Sequence, residues 1–464
     1  MKTRKMKMTR SFVLAMIFLG LVACKSGNIS DKQEITPRRI SSVVTPDWSK
    51  NATIYEVNTR QFTRTGSFDS IVPHLPRLKA LGIDILWFMP IHPIGKLNRK
   101  QGLGSYYSVQ DYKAINPEFG DMEDFKALVD TAHTLGFKVI IDWVANHTAF
   151  DHQWVTDHPQ WYKHDKDSKI VSPFDWTDVA QLNYETNPPL WNAMIGDMKF
   201  WLTNANIDGF RCDVAGMVPV AFWDKARISF DSIKPVFMLA EEEGKAELMN
   251  KAFDANYAWE FHHIMNGIAQ GKKNANDIFA YYQKNDSIFP SNSFRMNFTS
   301  NHDENSWNGT EFERMGKAVK AMAVLTFTAP GFPLIYNGQE VALDHRLKFF
   351  EKDEIDWTKE TDFAAFYTRL NEIKNDNQAI WNGNFGGDFQ RVEVDNPEKA
   401  LAFTRTKGIS KILVLINLSA EEQSVGLKNK VAAGSYTDLI TGNKVLLNSS
   451  NSIDMPAWSY LVLQ

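Results

Sequence analysis

Cysteine is nearly absent: the 464 residues hold two, Cys24 and Cys212. A multi-disulfide framework is therefore excluded, and the fold must stand on its apolar core. An excess of either charge is also missing. Lys and Arg number 51 against 55 Asp and Glu, a formal net charge of -4 with the signs interspersed. No basic block occurs beyond the extreme N-terminus, which argues against a nucleic-acid partner. The apolar run over 12–23 is too short to span a bilayer comfortably. No H-E-x-x-H or similar metal-ligand pair occurs.

The N-terminus reads as a targeting segment. Lys2, Arg4, Lys5, Lys7 and Arg10 precede the apolar run, which ends in Leu21-Val22-Ala23-Cys24. That ending resembles the bacterial lipobox, in which the cysteine is acylated and becomes the first residue of the mature chain. Residues 1–23 are thus expected to be a lipoprotein signal peptide, and 24–46 the lipidated Cys24 with a polar, flexible tether. Acyl chains tether a protein without a spanning helix. The expected location is the cell envelope, lipid-anchored and facing the periplasm or the cell surface. With Cys24 acylated, no disulfide can form within the chain.

From Trp48 onward, short β-rich runs alternate with segments of helical period, a pattern that signals a parallel sheet. Strands are expected near 53, 83, 138, 207, 236, 252, 293 and 333, each followed by a helix, including one over 264–283. Eight such units are the count of a (β/α)8 TIM barrel. A long aperiodic passage after the third strand reads as an inserted subdomain at about 147–189. From about residue 380 the helical period gives way to short alternating runs with Gly, Asn and Ser turns. The expected organisation is a catalytic barrel over 47–379 and a C-terminal antiparallel β-sandwich over 380–464.

Side chains at the C-terminal ends of barrel strands converge on one face. Those ends carry Asp142 to His147 after the third strand, Arg211 and Asp213 after the fourth, Glu241 after the fifth, and His302-Asp303 after the seventh. Arg211 and Asp213, two apart in a strand, share a face, and the guanidinium is expected to hold the carboxylate ionised. Glu241 follows an apolar run with Glu242 and Glu243 beside it, surroundings that should raise a carboxyl pKa. Three convergent carboxylates suit metal-assisted hydrolysis or glycoside hydrolysis. The arginine beside Asp213 competes with any cation, which favours the second. The aromatic load of 14 Trp, 13 Tyr and 31 Phe fits as well, since aromatic faces exposed in a cleft stack on sugar rings.

Four stretches, in order, resemble the motifs of the α-amylase family of glycoside hydrolases: DWVANH at 142–147, GFRCDVA at 209–215, FMLAE at 237–241 and TSNHDEN at 299–305. The resemblance covers roughly residues 50–360. It implies that Asp213 is the nucleophile, Glu241 the general acid and base, and Asp303 the group that binds sugar hydroxyls and stabilises the transition state. It further implies that Arg211 keeps Asp213 ionised, that His147 and His302 bond the sugar before the scissile link, that Tyr107 stacks on that ring, and that Asp142 supports the site. The implied reaction is cleavage of internal α-1,4 bonds of starch, glycogen or maltodextrins, with retention of configuration. Such an enzyme requires no cofactor. A glucanotransferase, a maltogenic amylase or an α-glucosidase shares the same motifs. A non-catalytic glucan-binding protein on this scaffold would have lost a carboxylate, and all three are present.

Several positions stay open. Glu242 also follows the fifth strand and rivals Glu241. Trp154, Trp161 and Trp176 form either a sugar platform or a small core, with core favoured. Met217 stands where many relatives have Lys or His, and Ser108 where an Asp is common. Gln181 stands where calcium-binding relatives carry Asp, so Asn146 alone remains of the usual ligands. That argues against the family's structural calcium, an ion that wants six or more oxygens.

Overall fold

The computed structural model describes residues 39–464 apart from 186, 429–433 and 448–451. The expected signal peptide over 1–23, the lipidation site Cys24 and most of the 24–46 tether lie outside the described residues. Among the described residues no helix is long and apolar enough to cross a membrane.

Three strands open the chain: β1 (Ile54–Val57), β2 (Ile85–Phe88) and β3 (Lys138–Trp143). Two more, β4 (His147–Ala149) and β5 (Val179–Gln181), form a separate antiparallel ribbon. There follow β6 (Gly209–Cys212), β7 (Phe237–Ala240), β8 (Ala255–Tyr257), β9 (Phe294–Asn297) and β10 (Phe332–Tyr336). All but the ribbon close into a parallel barrel, in the order β1-β10-β9-β8-β7-β6-β3-β2 and back to β1. This is the expected (β/α)8 architecture.

Strand periodicity sorts the residues. Ile54, Ile85, Trp87, Ile140, Phe237, Leu239, Ala255, Tyr257, Phe294, Met296, Phe332 and Leu334 form the packed interior of the barrel. Their neighbours of opposite parity, such as Val139, Ile141, Phe210, Cys212, Met238 and Ala240, join the larger core under the surrounding helices. Following the inward parity toward the C-terminal rim gives Glu56 on β1, Asp142 on β3, Arg211 and then Asp213 on β6, and Glu241 beyond β7. Polar side chains thus cap the same columns whose lower positions are apolar.

The helices start and stop where local chemistry directs. Asp121 caps Met122–Thr134 by accepting from the Glu123 and Asp124 N–H groups, and Asp124 returns the bond. The single helix expected over 264–283 is instead two, Trp259–Ala269 and Ala275–Ile288. Gly271 breaks it at φ +70, and Asn274 opens the second helix by accepting from Asn276 N–H.

Beyond the helix Phe363–Asp376 comes an antiparallel domain. Its main sheet has the order β11-β12-β13-β18, built from β11 (Asp388–Arg391), β12 (Ala400–Lys407), β13 (Ser410–Asn417) and β18 (Tyr460–Leu463). Two ribbons accompany it. They pair β14 (Gln423–Val425) with β17 (Ile453–Met455), and β15 (Gly434–Thr437) with β16 (Lys444–Leu447). Alternation again divides the faces. Ala400, Ala402, Leu413 and Leu415 pack with Val425, Leu447 and Met455 of the ribbons. Leu401, Phe403, Ile412, Val414 and Ile416 belong to the core that holds the barrel helices.

Candidate active site

One buried guanidinium organises the rim of the barrel. Arg211 Nη1 donates to Asp142 Oδ1 at 2.8 Å and to Asp213 Oδ1 at 3.0 Å, while Nη2 pairs with Glu241 Oε1 at 2.9 Å. Its Nε donates to Tyr257 Oη at 3.1 Å. Arg211 and Asp142 are fully buried, whereas the Asp213 and Glu241 side chains keep 10% and 12% exposure. Of the three carboxyls on Arg211, it is therefore Asp213 and Glu241 that meet the cleft.

The chain turns sharply between them. Val214 has φ 36, in the left-handed region that a β-branched residue enters only under constraint. The turn aims the Val214 N–H at Glu241 Oε2, 2.8 Å away. Backbone strain here positions a functional carboxyl.

Next to this pair, Tyr107 Oη donates to Asp142 Oδ2 at 3.2 Å and meets His302 Nε2 at 2.8 Å. The Tyr107 and His302 rings lie nearly parallel, 24° apart with centroids at 5.5 Å. His302 Nδ1 bonds Glu56 Oε1 at 2.5 Å, and Nε2 lies 3.5 Å from Asp303 Oδ2. Glu56 is fully buried on β1. No sequence argument singled it out. The available signal was a charged residue on the inward parity of an apolar strand. Tyr257 was missed too, because a tyrosine in a β-rich run looks like core.

Burial dominates the titration of these groups. It raises Glu241 to about 8, with Arg211 opposing and Asp213 and Asp303 reinforcing. It raises Asp213 to about 6, against Arg211 and with help from Asp142 and Asp303. Arg211 lowers the Asp213 carboxyl as expected, but desolvation and the neighbouring Asp142 and Asp303 raise it by more, and at about 6 it is still largely ionised at neutral pH. Glu241 is raised as expected, but not by Glu242 and Glu243. Burial lowers His147 to about 3. For His302 burial also opposes the charge, yet Asp303 and Glu56 hold it up at about 9.

A cleft of about 370 Å³ opens over these groups. Asp213, Glu241, Asp303, His302, His147 and Tyr107 all line it, with Asp142 and Arg211 beneath. Glu242 does not. It accepts from the Glu243 and Gly244 N–H groups and packs on Gly216, so of the two glutamates Glu241 is the one that reaches the cleft. Trp154 and Trp161 pack together at 5.1 Å as a small core in the inserted segment. Trp176 departs from the core expectation: it lines the cleft, edge-on to His147 with centroids at 5.6 Å. The opposite wall holds Phe349, Phe350 and the half-exposed Trp307, with Phe349 at 12° to the Tyr107 ring. None of these wall aromatics is distinguishable in sequence from core aromatics.

The donors around Asn146 do not fit a calcium ion. Asn146 gives its side-chain amide to His147 Nδ1 and its carbonyl to Leu182 N–H, while Gln181 sits in β5 opposite His147. Ser108 donates its hydroxyl to the Asp178 carbonyl. Among the described residues no three His, Cys, Asp or Glu side chains gather as metal ligands. A hard cation needs more oxygens than this set supplies.

Comparison with known proteins gives consistent matches. Residues 47–179 and 157–387 match the family model of the alpha amylase catalytic domain, and 400–462 that of the alpha-amylase SusG C-terminal domain. The crystal structure of an alpha-amylase from Lactobacillus plantarum is 32% identical, covers 90% of this chain and 99% of its own, and superposes with a TM-score of 0.81. That of the maltogenic alpha-amylase AmyB from Thermotoga neapolitana is 29% identical with the same coverage and a TM-score of 0.82. Alpha-amylase MalA of Haloarcula japonica is 27% identical over 420 residues, 86% of this chain; the match takes in 59% of that relative's length.

Proposed function

Because the chain belongs to the α-amylase family of glycoside hydrolases, we propose that it hydrolyses α-1,4-glucosidic bonds of starch, glycogen or maltodextrins with retention of anomeric configuration. The observation that carries this reading is the single guanidinium touching both Asp213 and Glu241. Carboxyls bridged in that way support the short separation, about 5 to 5.5 Å, that a retaining mechanism requires. Their unequal titration supports the division of labour.

In this reading Asp213 attacks the anomeric carbon while Glu241 delivers its proton to the departing glycosidic oxygen. A covalent glycosyl ester forms on Asp213. Glu241, now ionised, takes a proton from water as that water displaces the ester. Asp303, beside the cationic His302, bonds hydroxyls of the distorting ring. His147, His302 and Tyr107 hold the sugar before the scissile bond. Arg211 and Asp142 keep the nucleophile in place from beneath, and Glu56 anchors His302. Internal attack on long glucans needs a cleft open at both ends. The positive residues at 2–10, the apolar run and Cys24 support a lipid-anchored enzyme of the cell envelope.

Proton NMR of the first products from maltoheptaose tests the stereochemistry: the α-anomer is expected first, and an initial β-anomer would sink the retaining assignment. Asp213→Asn should lower kcat by at least about 10³-fold and Glu241→Gln by about 10²- to 10⁴-fold. Glu242→Gln should leave kcat near that of the parent enzyme.

A further inference from the structure

Residues 96–105 run beside the cleft, and their bonds reach both of its walls. On one side the Leu103 N–H donates to the Phe350 carbonyl at 2.8 Å. Gly102 lies so close to Glu351 that a Cβ there would fall 2.2 Å from Oε1. On the other side Lys100 Nζ donates to the Asp175 carbonyl at 3.1 Å and pairs with Asp178 Oδ1 at 3.5 Å. Phe350 and Asp178 both line the cleft, and so does Lys100. The segment therefore reaches from the aromatic wall to the inserted subdomain.

It is built to hold that path. Asn98, Gln101, Gly102 and Gly104 all have positive φ, which coils it tightly. Arg99 Nε and Nη2 donate back to the Gly95 and Ile94 carbonyls at 2.8 and 3.0 Å. The Gly95 N–H donates to the Ser108 carbonyl at 2.8 Å, pinning the two roots together. Tyr107 stands at one of those roots, its hydroxyl on Asp142 and His302. With Tyr107 in its proposed role, the strap stands on the side of the sugar held before the break. A cleft of about 370 Å³ lies at the small end of the roughly 300–1,000 Å³ usual for pockets that enclose small ligands.

We propose that this strap closes the donor end of the cleft, with Lys100 capping the non-reducing terminal glucosyl unit, so that the enzyme attacks chain ends and releases short oligosaccharides. The proposal rests on the glucan-hydrolase reading and replaces the internal attack expected from the sequence. An ammonium tied to the Asp175 carbonyl and to the buried Asp178 carboxylate still has its third N–H for a hydroxyl of a terminal ring, where it would leave no exit for a chain that continues.

The test compares two substrates, p-nitrophenyl maltoheptaoside and the same compound with its non-reducing glucose blocked as a 4,6-O-ethylidene acetal, each consumed alone and followed by chromatography. The unblocked compound should be cleaved faster by roughly tenfold or more, the discrimination a closed pocket exerts against added bulk. Lys100→Ala should shrink that ratio toward one. Where Lys100→Ala lowers the melting temperature, Lys100→Met, which keeps the side-chain stem and removes the ammonium, provides the same reading. Equal rates on both substrates in the parent enzyme would overturn the closed end and leave the hydrolase reading standing. A ratio unchanged in the well-folded variant would overturn the capping role of Lys100. Cleavage of neither compound would sink the hydrolase reading, and this proposal with it.

Discussion

Arg211 is the residue on which the others depend, since its one guanidinium serves Asp142, Asp213 and Glu241 together. Sharing weakens what it does for each, and burial prevails at all three carboxyls. The consequence is a pH dependence with a definite sign. In the proposed mechanism Asp213 attacks only when ionised, so activity should fall as pH drops through about 6. In the same mechanism Glu241 donates only when protonated, so activity should fall as pH rises through about 8. A bell-shaped kcat/KM profile with limbs near those values is expected, and the limbs belong to the coupled set and not to single residues. Glu241→Gln should lose the alkaline limb, as measured on an activated aryl glycoside whose leaving group needs no proton. An alkaline limb retained in that variant would show that another group titrates there. At this scale the sequence was informative where residue type is rare for its place, as with Arg211 or His302. It was silent on Glu56, whose role depends on a histidine contributed by a segment more than two hundred residues away.

Among elements, β6 carries the most. Its alternation sends Phe210 and Cys212 to the helices and Arg211, followed by Asp213, into the rim. Gly209 begins it because nothing larger fits: a Cβ there would fall 1.9 Å from the Phe237 carbonyl oxygen on β7. Gly209→Ala should therefore push β6 from β7 and cost at least about 3 kcal/mol in a urea melt. A melt unchanged from the parent protein would show that the pair can slide apart at no cost. Strand parity was legible in the sequence because a period of two is a local property. The split near Gly271 was less so, since two short amphipathic helices read like one longer helix until the glycine's left-handed φ is seen. The role of Trp176 was likewise hidden, because an aromatic in an aperiodic insert has no local mark that separates cleft wall from core.

Over the whole molecule, the barrel and the C-terminal sheet share one core. Leu401, Phe403, Ile412, Val414 and Ile416 are buried in the same cluster as the barrel helices, and Arg405 Nη1 donates to the Thr328 carbonyl at 2.9 Å. Calorimetry of the chain from residue 39 onward should show one cooperative transition, which Phe403→Ala lowers by about 3 to 5 kcal/mol of stability. Two separate transitions would mean the sheet is an independent appendage.

By itself the sequence determined the barrel, its eight strands and the convergence of Asp213, Glu241 and Asp303 on one rim. These follow from short-range rules, alternation along strands and the tendency of strand ends to meet. Only the tertiary structure decided that Arg211 also serves Asp142 and Glu241, that desolvation outweighs it at Asp213, and that residues 96–105 join the two walls of the cleft. Those outcomes depend on distances between residues far apart in the chain and on the water each loses when they meet, quantities that no local pattern encodes.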